Sequence, residues 1–365
     1  MNFRRIKQSF RYPVYAVVFV CFSNFYSEFI SLPFSKGVTE CEAAGRRPFT
    51  TCRSLGCRAT LLQCYTKSLI FKIQKGGFFA ISQKISTFAG IASIPYMNIK
   101  KVLFINQEII PYVPETPMST EGRMLTQSIQ ESGREIRTFL PQWGCINERR
   151  NQLHEVIRLS GMNIIIDGND HPLIIKVASI QAAHMQVYFI DNDDYFEKRG
   201  MAYDPQNEEY DDNAERAVFY ARGVLETVKK LRWCPDVIYC QGWISAIAPL
   251  YIKTIFKEDP SFANSKVVFE LSPLALKKQL PENFKSCLLL RNVTEALLKK
   301  QKMDFVEADD LIRLAINFSD AVTVSSPDIS EDLLNYAQQK GLPVLPYSED
   351  KDYGQRYGDF FESLA

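Results

Sequence analysis

Within residues 187–243, short apolar runs flank a segment of helical periodicity. Residues 187–190 form an apolar run that ends in polar residues, which is typical of a buried strand that stops at a loop. From Asp212 onwards, apolar side chains recur at helical spacing until Pro235 ends the pattern. A second apolar run, residues 236–240, follows. The pattern predicts a strand–helix–strand unit whose functional edge lies where its strands end in loops.

The same alternation continues on both sides of this unit. Ser119 is expected to cap the helix that follows the first strand, and Gly133 is expected to end it. Strands that alternate with helices favour an α/β fold with a doubly wound, mainly parallel sheet. The predicted strands are residues 101–105, 135–140, 266–271 and 321–325, and the predicted helices are residues 119–132, 244–255, 305–318 and 329–340.

Two further stretches do not follow this alternation. Residues 163–167, 173–179 and 185–191 are rich in β-forming side chains and closely spaced. They predict hairpin strands at one side of the sheet, with a turn at Asp167 and Gly168. Residues 273–304 predict an irregular connection with basic helical pieces.

Charge divides the chain into two unlike parts. The whole sequence has 43 basic and 42 acidic residues, a balance that gives no reason to expect binding to nucleic acid or to a membrane. Residues 1–96, however, contain 13 Lys or Arg, only 3 acidic residues and five of the nine cysteines. We therefore predict a basic, Cys-containing extension at 1–96 that is not a folded domain, a domain at 97–346 and a C-terminal tail at 347–365.

The extension has few features of a targeting segment or a metal site. Arg4 and Arg5 before the apolar residues 14–22 resemble a secretory signal, but no small-residue cleavage site follows cleanly. The apolar run is also shorter than the roughly 20 residues needed to span a bilayer. Its cysteines lack the paired spacing of a zinc site, and no metal or cofactor site is expected. Our preferred hypothesis is that the true start is Met97.

Several segments in order resemble a known family. They read VLFINQEIIPY, EIRTFLPQWGCI, VYFIDNDDYF, DDNAERAVFYARGVLE, PDVIYCQGW with APLYIK, and SDAVTVSSP. Over residues 101–341 the chain resembles the N-terminal catalytic domain of bacterial glycogen and starch synthases, glycosyltransferase family 5. It is most similar to the short single-domain proteins of this type in Bacteroides-like bacteria.

The resemblance implies an architecture and a reaction. It implies the GT-B arrangement, in which two Rossmann-like domains enclose the active site and no metal is required. Only the N-terminal half is expected in this sequence, without the C-terminal donor-binding domain. The implied reaction transfers glucose from ADP-glucose, as donor substrate rather than cofactor, to an α-1,4-glucan.

Three family motifs are altered in this chain. Residues 114–118 read PETPM where the family has KTGGL, so a carboxylate and two prolines replace a cation and flexible amides that approach phosphates. Gln241 replaces the histidine of the family's HDW motif, and glutamine cannot shuttle a proton near neutral pH. Residues 272–275 read SPLA where the family has HNLA. None of the histidines, His154, His171 and His184, falls on a family position.

Other family positions are kept. Glu108 matches the glutamate after the first strand, and Asp212, Asn213 and Arg216 match a DN-x-x-R element whose aspartate faces the cleft. The resemblance implies Asp212 and Gln241 as catalytic positions. It implies the following substrate-binding residues: Glu108, Tyr112, Asn192, Tyr195, Asn213, Arg216 and Trp243.

Structural explanations compete with these functional ones. Asp212 with Glu215 three residues later also fits a capping box. The acidic loop at 191–194, with Tyr195 and Phe196, suits a sugar-binding lip, although such a loop is usually only solvated.

The remaining aromatic and sulfur candidates also have structural explanations. Trp243 is expected in the core and Trp143 at the cleft rim. Cys234 and Cys240 are expected to be buried, reduced thiols.

Three functions remain open from the sequence. The chain is a glucan synthase that needs a donor-binding domain from another chain, a non-catalytic glycan-binding or regulatory relative, or a scaffold for a different sugar transfer or a partner protein. The expected ligand is an α-1,4-glucan or malto-oligosaccharide. A cytoplasmic location is expected because nucleotide-sugar donors are found there.

Overall fold

The computed structural model describes residues 98–365, so the hypotheses about the extension and the Met97 start lie outside the described residues. A mainly parallel sheet forms the centre, in the order β10-β9-β8-β7-β1-β2-β6-β5-β3, with β4 paired to β5. The strands are β1 Lys101–Ile105, β2 Glu135–Pro141, β3 His154–Glu155, β4 Met162–Ile166, β5 Asn169–Ile180, β6 Met185–Asp191, β7 Val237–Cys240, β8 Lys266–Leu271, β9 Ala321–Val324 and β10 Val344–Leu345.

Helices connect the parallel strands. Their bounds are α1 Pro117–Glu131, α2 Asn213–Leu231, α3 Ala248–Thr254, α4 Phe284–Leu288, α5 Glu295–Lys300, α6 Ala308–Asn317, α7 Glu331–Gln339 and α8 Tyr353–Glu362. The irregular stretch predicted at 273–304 contains the short helices α4 and α5, as expected.

Alternation along the central strands creates two cores. In β1, Leu103 and Ile105 belong to the larger core, whereas Val102 and Phe104 belong to a smaller core on the opposite face. Because successive side chains of a strand point to opposite faces, a strand without polar positions is buried on both sides. Helices cover both faces, so the predicted α/β doubly wound sheet is confirmed.

The predicted hairpins are also present. Strands β4, β5 and β6 pair antiparallel at one side of the sheet. Asp167 and Gly168, both with positive φ (47° and 82°), form the two-residue turn between β4 and β5. Two left-handed residues match the twist of the flanking strands, which is why a DG pair predicts this turn.

Two helix predictions need correction. Thr116, not Ser119, caps α1, because the Thr116 hydroxyl accepts a hydrogen bond from the Ser119 amide and the Ser119 hydroxyl accepts one from the Thr116 amide. Pro117 then occupies the first helical position, where its missing N–H costs nothing. The helix predicted at 244–255 is divided into a 3₁₀ turn, Trp243–Ser245, and α3.

The segment predicted as a C-terminal tail contains helix α8, which packs on the sheet. Tyr357 and Phe361 are buried in the smaller core with Phe104 and Leu125. The Glu362 carboxylate accepts hydrogen bonds from the Asn98 amide and from the Arg134 guanidinium. Amphipathic spacing over only three turns made this helix hard to separate from a tail by sequence alone.

Within residues 98–365, no helix has the length and apolarity that crossing a bilayer requires.

Candidate functional site

The order of the strands changes direction between β1 and β7. The chain leaves β1 towards β2 on one side, while β7 lies on the other, so this is the topological switch point where α/β proteins bind ligands. Polar residues follow both strands, and the backbone amide of Gln241 donates a hydrogen bond to the Ile105 carbonyl at 2.9 Å. Glu108 and Gln241, which the resemblance named separately, are therefore brought together at neighbouring strand ends.

The carboxylate of Glu108 is held by its neighbours. The Thr116 hydroxyl donates a hydrogen bond to one carboxylate oxygen at 2.6 Å, and the side-chain amide of Gln107 donates one to the other oxygen at 3.1 Å. Glu108 is only 8% exposed. The residue that caps α1 thus also fixes the acid after β1.

Gln241 is fully buried and joins β7 to helix α1. Its side-chain oxygen accepts from the Glu108 amide at 3.4 Å, and its side-chain nitrogen donates to the Met118 carbonyl at 3.3 Å. Gly122 lies directly against the same side chain. At the position of the family histidine, the structure therefore has a side chain whose hydrogen bonds are made within the protein.

A second buried acid lies beside Gln241. Glu270, at the carboxyl end of β8, accepts a hydrogen bond from the Tyr239 hydroxyl at 2.8 Å. Burial, followed by the negative charge of Glu121, raises the pKa of Glu270 well above its ordinary value, while its hydrogen bonds act in the opposite direction. The strand pattern gave no indication of this acid, because Glu270 is the single acidic residue in a strand that is apolar apart from Lys266 at its start.

Arg216, predicted to bind substrate, is completely buried at the start of α2. Its guanidinium donates to the carbonyls of Met201 and Gly200 and to the Asn213 side chain. It also lies over the ring of Trp143 at 5.1 Å, with two further aromatic rings at similar distances. Burial lowers the pKa of Arg216 to about 9. Arg216 and Asn213 thus hold the preceding loop in place.

Asp212 has a different partner from the one that capping would require. Its side chain makes no hydrogen bond to the first turn of α2, so the capping-box interpretation is wrong. Instead, the Arg199 guanidinium donates to both carboxylate oxygens at 2.7 and 2.6 Å. The Asp212 side chain remains 30% exposed. It is an oriented, ion-paired carboxylate at the carboxyl edge of the sheet.

The acidic loop differs from the predicted sugar-binding lip. Tyr195 is 2% exposed and Phe196 is fully buried, so neither ring offers a face to a ligand. Asp191 is buried and paired with Lys176 at 2.7 Å. The side chain of Asn192 closes the loop by accepting from the Tyr195 amide. Of the predicted lip, only the carboxylates at positions 193 and 194 are exposed.

Tyr195 belongs to a polar network that the sequence did not reveal. Its hydroxyl lies 3.1 Å from His171 Nε2 and donates to Glu215 at 3.3 Å. The Cys287 thiol also contacts Glu215, at 3.4 Å. Burial and the Glu215 carboxylate raise the pKa of Cys287 to about 12, which keeps it a thiol rather than a nucleophile.

The other predicted residues are buried as well. Trp143 is not at the rim: it is fully buried and donates to the Gln107 carbonyl at 2.8 Å. Trp243 is in the core, as expected, 6.3 Å from Trp143. Tyr112 packs edge-on against Phe189, and burial raises its pKa to about 12.

The cysteines and the other potential metal ligands form no metal site among the described residues. Cys240 is buried as expected, but Cys234 is exposed. Among residues 98–365, no three His, Cys, Asp or Glu side chains converge in a way that could hold a metal ion.

Comparison with known proteins identifies the family. A family model described as the starch synthase catalytic domain matches residues 101–345. This chain belongs to that family. Glycogen synthases of Pelodictyon phaeoclathratiforme and Chlorobaculum tepidum are each 30% identical, over 257 and 265 residues, which cover 70% and 72% of this chain. The particular similarity to Bacteroides-type proteins stays a prediction.

A solved structure of a starch synthase has the same fold as the described domain. The catalytic domain of starch synthase IV from Arabidopsis thaliana, bound to ADP and acarbose, matches with a TM-score of 0.54 at 18% identity, covering 70% of this chain and 52% of that chain. The described domain is therefore the N-terminal half of a GT-B fold. The chain spans about half the length of the curated relatives it matches, 52% for both glycogen synthases.

Proposed function

We propose that this domain is the glucan-binding half of a glycogen or starch synthase-type glycosyltransferase. The reaction would transfer glucose from ADP-glucose to the end of an α-1,4-glucan. One observation carries the proposal: the Arg199-paired carboxylate of Asp212 is oriented and partly exposed at the carboxyl edge of the sheet. A carboxylate in this position accepts hydrogen bonds from sugar hydroxyls and stabilises positive charge that develops on a reacting sugar.

Gln241 and the start of α1 limit the ability of the described domain to catalyse glucose transfer by itself. Gln241 offers no titratable proton, and its amide is already bonded to α1. The first turn of α1 begins with Pro117 instead of flexible glycines, so fewer backbone amides are free to bind a phosphate. We therefore propose that transfer needs a donor-binding domain in addition to the described one, and that the enzyme works in the cytoplasm with its nucleotide-sugar donor.

A second function is favoured by the same buried contacts. The side chains of Glu108 and Gln241 form hydrogen bonds with α1 and its cap, so these polar groups after β1 and β7 stabilise the fold instead of being free to bind a substrate. A non-catalytic relative that binds glucan and regulates another enzyme would need only the glucan-binding surface.

Calorimetry and a transfer assay separate the two functions. We expect the full chain to bind maltoheptaose and Asp212→Asn to bind it at least tenfold more weakly, because a charge-assisted hydrogen bond is lost. The matched control is Glu258→Gln, an exposed acid that follows α3 outside the candidate site, which should bind like the wild type. Absence of maltoheptaose binding would contradict both functions.

The transfer assay then assigns the role. Incorporation of labelled glucose from ADP-glucose by this chain alone would establish the transferase and would refute our interpretation of Gln241. Glucan binding without incorporation, even with a donor-binding domain present, would favour the regulatory relative.

A further inference from the structure

A cleft of about 440 Å³ lies between the start of α1 and the C-terminal segment. One wall comes from residues 115–121, and the floor includes Ser325 after β9. The other wall comes from residues 347–357. We name residues 346–357 the strap. The volume falls within the range of about 300–1,000 Å³ that is typical of ligand pockets. We name it the strap cleft.

One wall of the strap cleft lies within the family match, and the strap lies outside it. The family match ends at residue 345, before the strap begins. Residues 115–117 of the first wall belong to the altered PETPM motif, whereas none of the residues that the resemblance implies as catalytic or substrate-binding lines the cleft. Any ligand contact that the strap provides is therefore additional to the contacts of the part that matches the family.

The strap is fixed against the domain, so the cleft is preformed. The Tyr357 hydroxyl donates to the Glu121 carboxylate at 2.8 Å, across 236 positions of sequence. The Arg356 guanidinium donates to the Pro346 carbonyl and so closes the strap on itself. Phe361, one turn after Tyr357, is fully buried. A rigid, preformed site loses less conformational entropy when a ligand binds.

The chemistry of the lining distinguishes between classes of ligand. Three carboxylates line the cleft, those of Glu115, Glu121 and Glu349, against two cations, Lys351 and Arg356. Arg356 is already bonded within the strap. This balance disfavours a nucleotide or another phosphate-rich ligand, because the carboxylates would repel its charge.

The same lining suits a neutral ligand rich in hydroxyl groups. Carboxylates and the hydroxyls of Thr120, Ser325 and Ser348 are acceptors for such groups. Tyr347 is 40% exposed and supplies an aromatic face, which suits the apolar face of a sugar ring.

We propose that the strap cleft binds one end of an uncharged α-glucan chain, with Tyr347 against a sugar ring and Glu349 accepting from sugar hydroxyls. The ligand class rests on the proposed function, whereas the location does not involve Asp212. The strap would thereby give this chain a glucan contact outside the part that matches its family.

Binding of maltotriose to the full chain, measured by calorimetry, tests the proposal. We expect Tyr347→Ala and Glu349→Gln each to bind about tenfold more weakly, through loss of the aromatic face or of a charge-assisted hydrogen bond. Tyr347→Phe keeps the aromatic face and should bind like the wild type. Glu331→Gln, an exposed acid on α7 outside the cleft, is the matched control. Thermal unfolding of each variant verifies that it is folded.

The outcomes separate this site from the proposed function. Wild-type binding that Tyr347→Ala and Glu349→Gln leave unchanged, but Asp212→Asn weakens, would overturn the strap cleft and leave the function standing. Binding of ADP that Tyr347→Ala abolishes would overturn the proposed ligand class. Tyr347-dependent binding of maltotriose without glucose transfer, even with a donor-binding domain present, would support the strap cleft and count against catalysis. Absence of maltotriose binding to the wild type would overturn the strap cleft, whereas the proposed function is tested by the binding of maltoheptaose.

Discussion

The carboxyl group of Glu270 illustrates how a single buried residue depends on its surroundings. It accepts a hydrogen bond from the Tyr239 hydroxyl, and its pKa is raised by burial and by the negative charge of Glu121. Burial also raises the pKa of Glu121 itself. A carboxyl group with a raised pKa binds a proton in the folded state that it releases in the unfolded state above about pH 4.5. Its contribution to stability is therefore complete at low pH and declines as the pH rises.

Glu270→Gln tests this relation. Glutamine is neutral at every pH, so the variant should be more stable than the wild type near pH 8 and should lose less stability between pH 5 and pH 8. The removed slope is at most about 1.4 kcal/mol per pH unit for one proton. Urea denaturation across this pH range measures it, with Glu331→Gln as the exposed control. Equal slopes for Glu270→Gln and wild type would contradict the raised pKa.

At the scale of the elements, helix α1 is held unusually close to the loop after β1. A Cβ atom built on Gly122 would lie 2.3 Å from the Glu108 carbonyl oxygen and 3.2 Å from the Gln241 side chain. The absence of a side chain lets α1 approach closely enough for Thr116 and Met118 to bond with Glu108 and Gln241. The geometry of the candidate site therefore depends on one glycine.

Gly122→Ala should lower the free energy of unfolding by about 2 kcal/mol, because the added methyl group must displace backbone. Gly354→Ala, in α8, is the matched control: its nearest neighbour would be 3.4 Å away, an ordinary contact. It should be neutral or stabilise by up to about 1 kcal/mol, because alanine loses less chain entropy. Chemical denaturation measures both variants. A Gly122→Ala protein as stable as the wild type would show that α1 can move away.

At the scale of the whole described domain, the strap and α8 close the smaller core. Phe361 and Tyr357 pack there with Tyr239, in edge-on ring contacts at 6.3 and 6.0 Å. The ion pair between Glu362 and Arg134, at 3.0 Å, fixes the end of the helix. The last residues of the chain are thus part of the domain's stability.

Phe361→Ala should lower the free energy of unfolding by about 3–5 kcal/mol, since it removes a fully buried aromatic ring and leaves a cavity. Gln355→Ala, at an exposed position of the same helix, should remain within about 0.5 kcal/mol of the wild type. Denaturant unfolding compares the two. A loss below about 1 kcal/mol for Phe361→Ala would mean that α8 is dispensable for the fold.

Sequence reasoning predicted those parts of the fold and site that depend on local pattern. The alternation of strands with helices, the turn at Asp167 and Gly168, and a functional edge where the strands end in loops all follow from periodicity, turn chemistry and the rule that parallel strands end at one edge. The family match rests on the same kind of contiguous signal.

The tertiary structure alone decided which side chains are free to act. Whether Tyr195 points inwards, whether Asp212 pairs with Arg199, and whether the last helix packs on the sheet depend on contacts between distant segments. Tyr357 and Glu121, for instance, meet across 236 positions. Periodicity records how each segment divides its apolar and polar faces, but a hydrogen bond or ion pair between segments forms only after the chain has been brought together, because its energy depends on distance and burial.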